Sequence, residues 1–218
     1  RILTATTSAG TPAVLRFNNC NFVTFRNFTI RTTDATNGWC AHFFNGTNNR
    51  VTNCILDIGG AGAASANSNL VPVVMNGSLT SLGTNSTTGN NHIVDSSVLN
   101  AGYYSVYTSN SMGTSTYRFL NNTMSNAYQY GAYFNSSHAI KFNNNIVNMR
   151  GINASTYGLY IINNNPTTPN FHEINGNKFT NIGQFGIYFA TSTNPSSTMG
   201  QVYNNMISGF KSTSTNVG

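Results

Sequence analysis

Side chains able to do acid–base, nucleophilic or metal chemistry are scarce in this 218-residue chain. It has four carboxylates, Asp34, Asp57, Asp95 and Glu173, and four histidines, His42, His92, His138 and His172. Three cysteines, Cys20, Cys40 and Cys54, complete the set. A glycosidase needs two carboxyl groups facing one bond, and a calcium site needs several converging oxygens. The nearest acids in sequence, Asp34 and Asp57, are 23 residues apart (57 − 34). The cysteines lack CxxC spacing and any pair leaves one thiol over, so they read as small buried hydrophobes. We expect no catalytic residue, no metal and no cofactor.

Positioning of the remaining polar residues depends on a repeat. Apolar anchors stand at Phe25, Val51, Val94, Phe119, Phe142, Ile174 and Val202. Five residues after each comes another apolar residue, Ile30, Leu56, Leu99, Met124, Val147, Phe179 and Ile207. The apolar runs are short, rich in Val, Ile, Phe and Tyr, and bounded by Gly, Asn and Ser, which is strand and not helix punctuation. A second set of short strands precedes the anchors, as in "VPVVM" at 71–75, "GAYF" at 131–134 and "GIYFA" at 186–190. The fold expected is all-β, a right-handed parallel β-helix of about seven coils in a single domain over 1–218. A long Gly/Ala/Ser/Asn/Thr-rich insertion falls around residues 57–91. Seven coils at strand spacing give a rod of roughly 30–35 Å.

Three columns follow from stacking the repeats. Two residues after the anchors stand Asn27, Asn53, Ser96, Asn121, Asn144, Gly176 and Asn204. Asn27, Asn53, Asn121, Asn144 and Asn204 are expected to point inward as an amide ladder, each hydrogen-bonded to the next coil. Tyr133, Tyr160 and Tyr188 fall on one outward position of successive coils and form a candidate ligand-binding stripe for sugar rings or a partner protein. Immediately before the anchors run Thr24, Arg50, Ile93, Arg118, Lys141, Glu173 and Gln201. There Arg118 and Lys141 make a candidate polar strip for an acidic polysaccharide, with Glu173 relieving their repulsion. His92, His138 and His172, just before the second strands, are expected at the surface beside turns.

Only 6% of the chain is charged, yet 39% is hydrophobic, enough apolar surface to fold. The net charge of +6 arises from scarce acids and not from a basic run, so no nucleic-acid partner is expected. No stretch is apolar for long enough to insert in a bilayer. Of seven N-x-[ST] sequons, at Asn27, Asn45, Asn76, Asn85, Asn121, Asn135 and Asn153, two fall in the expected buried ladder and argue against glycosylation there.

The phrases "GTPAVLRFNNCNFVTFRNFTI", "GWCAHFFNGTNNRVTNCIL" and "NNHIVDSSVLNAGYYSVYT", with "QYGAYFNSS" and "QFGIYFATS", resemble the repeats of large Bacteroidetes-type exported surface proteins. That resemblance implies a right-handed parallel β-helix segment of a longer secreted or cell-surface protein, with a structural or adhesive role. Partners would then be glycans or a surface protein, together with adjacent coils, other domains or further copies at open ends. Parallel β-helices also carry polysaccharide lyases and hydrolases, which makes a polysaccharide-binding or polysaccharide-degrading module the alternative.

Overall fold

The computed structural model describes residues 1–83, 89–109, 115–136, 139–151, 153–195 and 197–211. Among the described residues strands pair only in parallel, in three sheets of seven, seven and eight members, and the order in each sheet advances by one coil per step. This is a parallel β-solenoid of about seven turns. Each turn contributes one strand to each sheet, so the repeat holds three strands. In the fifth coil these are Tyr130–Asn135, Ala139–Asn143 and Ile146–Asn148. The first sheet comprises Ala13–Asn18, Gly38–Phe44, Leu70–Asn76, Tyr104–Ser109, Tyr130–Asn135, Tyr157–Ile162 and Phe185–Ala190. One further strand, Ile2–Ala5, precedes the first full coil in the third sheet.

The anchors pair in one register through the second sheet, Phe25 to Val51, Val94, Phe119, Phe142, Ile174 and Val202. Those from Val51 to Ile174 are fully buried, as are Ile30, Leu56, Leu99, Val147 and Phe179 in the third sheet. Burial of one or two apolar side chains from most strands of each coil gives a single continuous core. The first sheet comes close to its neighbours through Gly131, Gly158 and Gly186. A Cβ on Gly158 would lie 2.5 Å from Phe179 Cδ1 and 2.6 Å from the Gly186 carbonyl oxygen. The expected insertion around 57–91 divides into two loops on either side of the strand Leu70–Asn76, and the third coil is complete. The first loop carries a short 3-10 helix, Gly60–Ala64.

Corners between the strands explain the asparagine content and correct the expected ladder. Asn27, Asn53, Ser96, Asn121, Asn144, Gly176 and Asn204 all have φ between +51° and +67°. Only Gly adopts this left-handed region freely, with Asn next best among ordinary residues. Twelve of the seventeen described non-Gly residues with positive φ are Asn. The left-handed turn rotates the side chain outward, so Asn27, Asn53, Asn121, Asn144 and Asn204 are exposed and form no buried ladder. The following residue turns in instead, giving the column Phe28, Cys54, Ser97, Asn122, Asn145, Asn177 and Asn205.

That inner column is an amide ladder. Asn122 Nδ2 donates to Asn145 Oδ1 at 3.1 Å, Asn145 Nδ2 to Asn177 Oδ1 at 3.1 Å, and Asn177 Nδ2 to Asn205 Oδ1 at 2.9 Å. Each Oδ1 also accepts a backbone N–H from the coil before, as Asn145 Oδ1 does from Asn122 N at 3.0 Å. The second amide hydrogen reaches an anchor carbonyl, Asn145 Nδ2 to Phe119 O at 2.8 Å. Ser97 Oγ continues the column by accepting from Cys54 N at 3.1 Å.

Candidate functional site

The outward tyrosines of the first sheet lie in one register that runs Arg16, His42, Val74, Tyr107, Tyr133, Tyr160 and Tyr188. Tyr133, Tyr160 and Tyr188 therefore stack on consecutive coils, and Tyr107 extends the row by one. Centroid separations are 5.4 Å for Tyr107–Tyr133, 5.3 Å for Tyr133–Tyr160 and 5.0 Å for Tyr160–Tyr188, with interplanar angles of 6°, 8° and 24°. Parallel strands at a spacing near 4.8 Å impose this stacking on identical side chains.

Beside the row stands a second one, Tyr104, Tyr130, Tyr157 and Phe185, also stacked, at 5.1, 5.2 and 5.8 Å. Strict alternation would turn Tyr130 inward, three residues before outward Tyr133. At this point, however, Gly131 and Ala132 are both buried, so the strand irregularity leaves both tyrosines outside. The two rows meet edge to face, with Tyr130–Tyr133 at 5.2 Å and 74° and Tyr157–Tyr160 at 5.1 Å and 90°. Tyr103 joins the block against Tyr104 and Tyr130, and Tyr128 joins through Tyr103.

Because the rings stack along the rod, their faces are covered by one another. Burial, then Tyr133, pushes Tyr107 up to about 12. Tyr104 and Tyr130 are raised further by the same causes, and Tyr133 and Tyr160 are raised too.

The earlier coils of this face are roofed by residues 77–83. Trp39, Val71, Val74 and Tyr107 form an outer apolar cluster packed against Leu82. Tyr107 Oη donates to the Leu82 carbonyl, and Arg16 Nη2 donates to the Leu79 carbonyl at 2.8 Å. Arg16 Nε donates to His42 Nδ1 at 3.1 Å, which places the His42 proton on Nε2, 3.0 Å from Asn76 Oδ1. Burial, then the Arg16 charge, pulls His42 down to about 4. Among the described residues the roof reaches the fourth coil, and Tyr133, Tyr160 and Tyr188 on the fifth to seventh coils are half-buried.

The polar strip keeps its expected register, with Arg118 beside Lys141 and Lys141 beside Glu173. Lys141 Nζ bonds Glu173 Oε2 at 2.8 Å and lies 3.4 Å from the Phe171 ring centroid. Arg50 makes a two-pronged contact with Asp95, and Arg31 reaches Asp57 at 2.7 Å. Asp34 accepts from Asn37 N and then from Thr36 N, which lowers its pKa. All four carboxylates are thus engaged on different coils.

His92 and His172 correct the surface reading, since both are buried inside the corners. Each Nδ1 accepts a backbone N–H, from Asn49 at 3.3 Å and Ile140 at 3.4 Å, and His92 also stacks on Tyr117. A neutral ring here does the work of a corner amide, and burial pulls His92 down to about 3. His138 and Asn85 lie outside the described residues. Cys20, Cys40 and Cys54 are free thiols, and burial pushes the Cys40 thiol far up. Among the described residues no three His, Cys, Asp or Glu side chains are grouped to hold a metal ion. Because Asn27 and Asn121 are exposed, burial no longer argues against glycosylation at those two sequons.

No protein-family model matches the chain, and no curated protein or solved structure matches it. The class defined by its own geometry is the parallel β-solenoid.

Proposed function

We propose that the chain is a non-catalytic structural and adhesive segment of a secreted or cell-surface protein, a stiff spacer that carries a contact face. One observation carries this reading: among the described residues three of the four carboxylates and three histidines are held in bonds between coils, and Asp34 is held by its own turn. Asp57, Asp95 and Glu173 each pair with a cation on a neighbouring coil, while His42, His92 and His172 act as neutral hydrogen-bonding groups. The resemblance of the repeats to Bacteroidetes-type exported proteins supports the same assignment. In the last coil, inward-facing Phe189, Val202 and Ile207 are 41%, 51% and 37% exposed. Further coils, another domain or a second copy would cover that surface.

The contact face is the uncovered part of the first sheet around Tyr133, Tyr160 and Tyr188, and its ligands are glycans or a surface protein. A row of phenol edges offers hydroxyls to hydrogen-bond a sugar chain laid along the rod. The test is retention of the protein on a panel of immobilised and soluble polysaccharides, beside a Tyr133/Tyr160/Tyr188→Ala triple variant, with chain length of the polysaccharide followed throughout. Retention without chain shortening, lost in the folded triple variant, supports the reading. Shortening of any polysaccharide overturns the non-catalytic assignment, and absence of retention removes the adhesive half and leaves the spacer.

A further inference from the structure

Nine of the chain's eleven tyrosines belong to one continuous block of touching rings. Stacking itself does not demand phenols there, because phenylalanine stacks as well and Phe185 does so in the second row. What a phenol adds is an oxidisable O–H group and two reactive ortho carbons.

From this arrangement we infer that the block is a site of oxidative tyrosine–tyrosine coupling, centred on Tyr160, which bonds successive coils together along the rod. The inference concerns covalent modification and stands whether or not the face also binds a ligand. The co-reactant is hydrogen peroxide acting through a haem peroxidase, a one-electron oxidant of phenols. Each of two tyrosines gives one electron to the oxidant and its phenolic proton to water. The two phenoxyl radicals join ortho carbon to ortho carbon, and the displaced ring hydrogens return to the oxygens as the rings regain aromaticity. The sum is two phenols to one biphenol, two protons and two electrons. One hydrogen peroxide takes up both to give two waters.

Geometry selects the pair. Tyr160 touches Tyr133 and Tyr188 in its own row, at 5.3 and 5.0 Å, and Tyr130 and Tyr157 in the other, at 5.5 and 5.1 Å. Edge-to-face and stacked contacts let an electron vacancy formed on any ring pass through the block, so two oxidations end on neighbours. Tyr107 is 6% exposed with its hydroxyl held by Leu82, which removes it from the pairing. Tyr133, Tyr160 and Tyr188 are half-exposed beyond the roof formed by residues 77–83. Turning neighbouring rings about their Cβ–Cγ bonds brings their ortho carbons toward each other. Coupling of Tyr133 to Tyr160, or Tyr160 to Tyr188, closes a covalent loop of one coil.

The experiment treats dilute folded protein with a haem peroxidase and hydrogen peroxide. It follows biphenol fluorescence and then digests with trypsin. Cleavage after Arg118, Lys141, Arg150, Lys178 and Lys211 places Tyr133 on 119–141, Tyr160 on 151–178 and Tyr188 on 179–211. The expected result is monomeric product in which 151–178 is joined to 119–141 or to 179–211 with loss of two hydrogens. Its yield is independent of protein concentration. Tyr160→Phe keeps the ring stack and the circular dichroism but lowers the link from 151–178 to 179–211 to the share that Tyr157, 5.9 Å from Tyr188, supplies. Tyr203→Phe leaves that link unchanged. Three results would each overturn the inference: no biphenol where free tyrosine forms it, links chiefly between chains, or an undiminished link in Tyr160→Phe.

Discussion

Replacing Asn145 by Ala tests which asparagine of the pair "NN" supports the corner. The Asn145 side chain is fully buried and makes four hydrogen bonds: two accepted from Asn122, from N at 3.0 Å and from Nδ2 at 3.1 Å, and two donated, to Phe119 O at 2.8 Å and Asn177 Oδ1 at 3.1 Å. At a net ~0.5–1.5 kcal/mol each, losing four costs about 2–6 kcal/mol. Groups left without a partner in the closed interior keep the loss toward the upper end of that range. Its neighbour Asn144 is exposed at φ +57°, where glycine fits without strain, so Asn144→Gly should change stability by less than about 1 kcal/mol. Urea unfolding followed by circular dichroism measures both. Equal midpoints for Asn145→Ala and Asn144→Gly, or a larger loss for the latter, would refute the assignment of the ladder to the second asparagine.

Acid should weaken the fold below pH 6.5. The folded-state His42 pKa, near 4, is below its unfolded value, so the unfolded chain binds more protons between pH 4 and 6.5 and stability falls as pH drops through that window. A shift of this size corresponds to about 3 kcal/mol, and a His42→Gln variant should show a shallower slope in urea midpoints against pH. Alkali should act in the opposite sense. Tyr107, raised to about 12, keeps its proton in the folded state after the unfolded chain has lost it, so stability declines above pH 10. Spectrophotometric titration should then show tyrosines that ionise only on unfolding. Gly158→Ala should lower stability by about 1–3 kcal/mol or more through overpacking against Phe179, measured by the same urea melts.

Positions governed by side-chain burial were legible in the sequence. The anchors and the residues five beyond them are inward because one apolar side chain per strand must face the core, and both columns pair in the expected register. The outward row of Tyr133, Tyr160 and Tyr188 followed from the same alternation. Positions governed by backbone twist were not legible. In "FNNNIV" consecutive residues share one letter, and only the left-handed φ of Asn144 decides that Asn145 turns inward. The second aromatic row stayed hidden because buried Gly131 and its equivalents break the two-residue alternation before Tyr133. His92 and His172 looked like surface residues beside turns. A neutral imidazole, though, can accept a corner N–H as a carboxamide does, and the corner is closed to water.

The inner corner column also sets how the rod bears load. Hydrogen bonds of all three sheets point along its length, so tension along the axis passes through the coil-to-coil junctions in series, each carrying the full force. From Ser97 to Asn205 every junction has polar links in that column, whereas the first coils offer Phe28 and Cys54 in the same place. A pulled rod should therefore yield at its N-terminal coils, with the amide-laced coils acting as the stiff shaft behind a softer fuse.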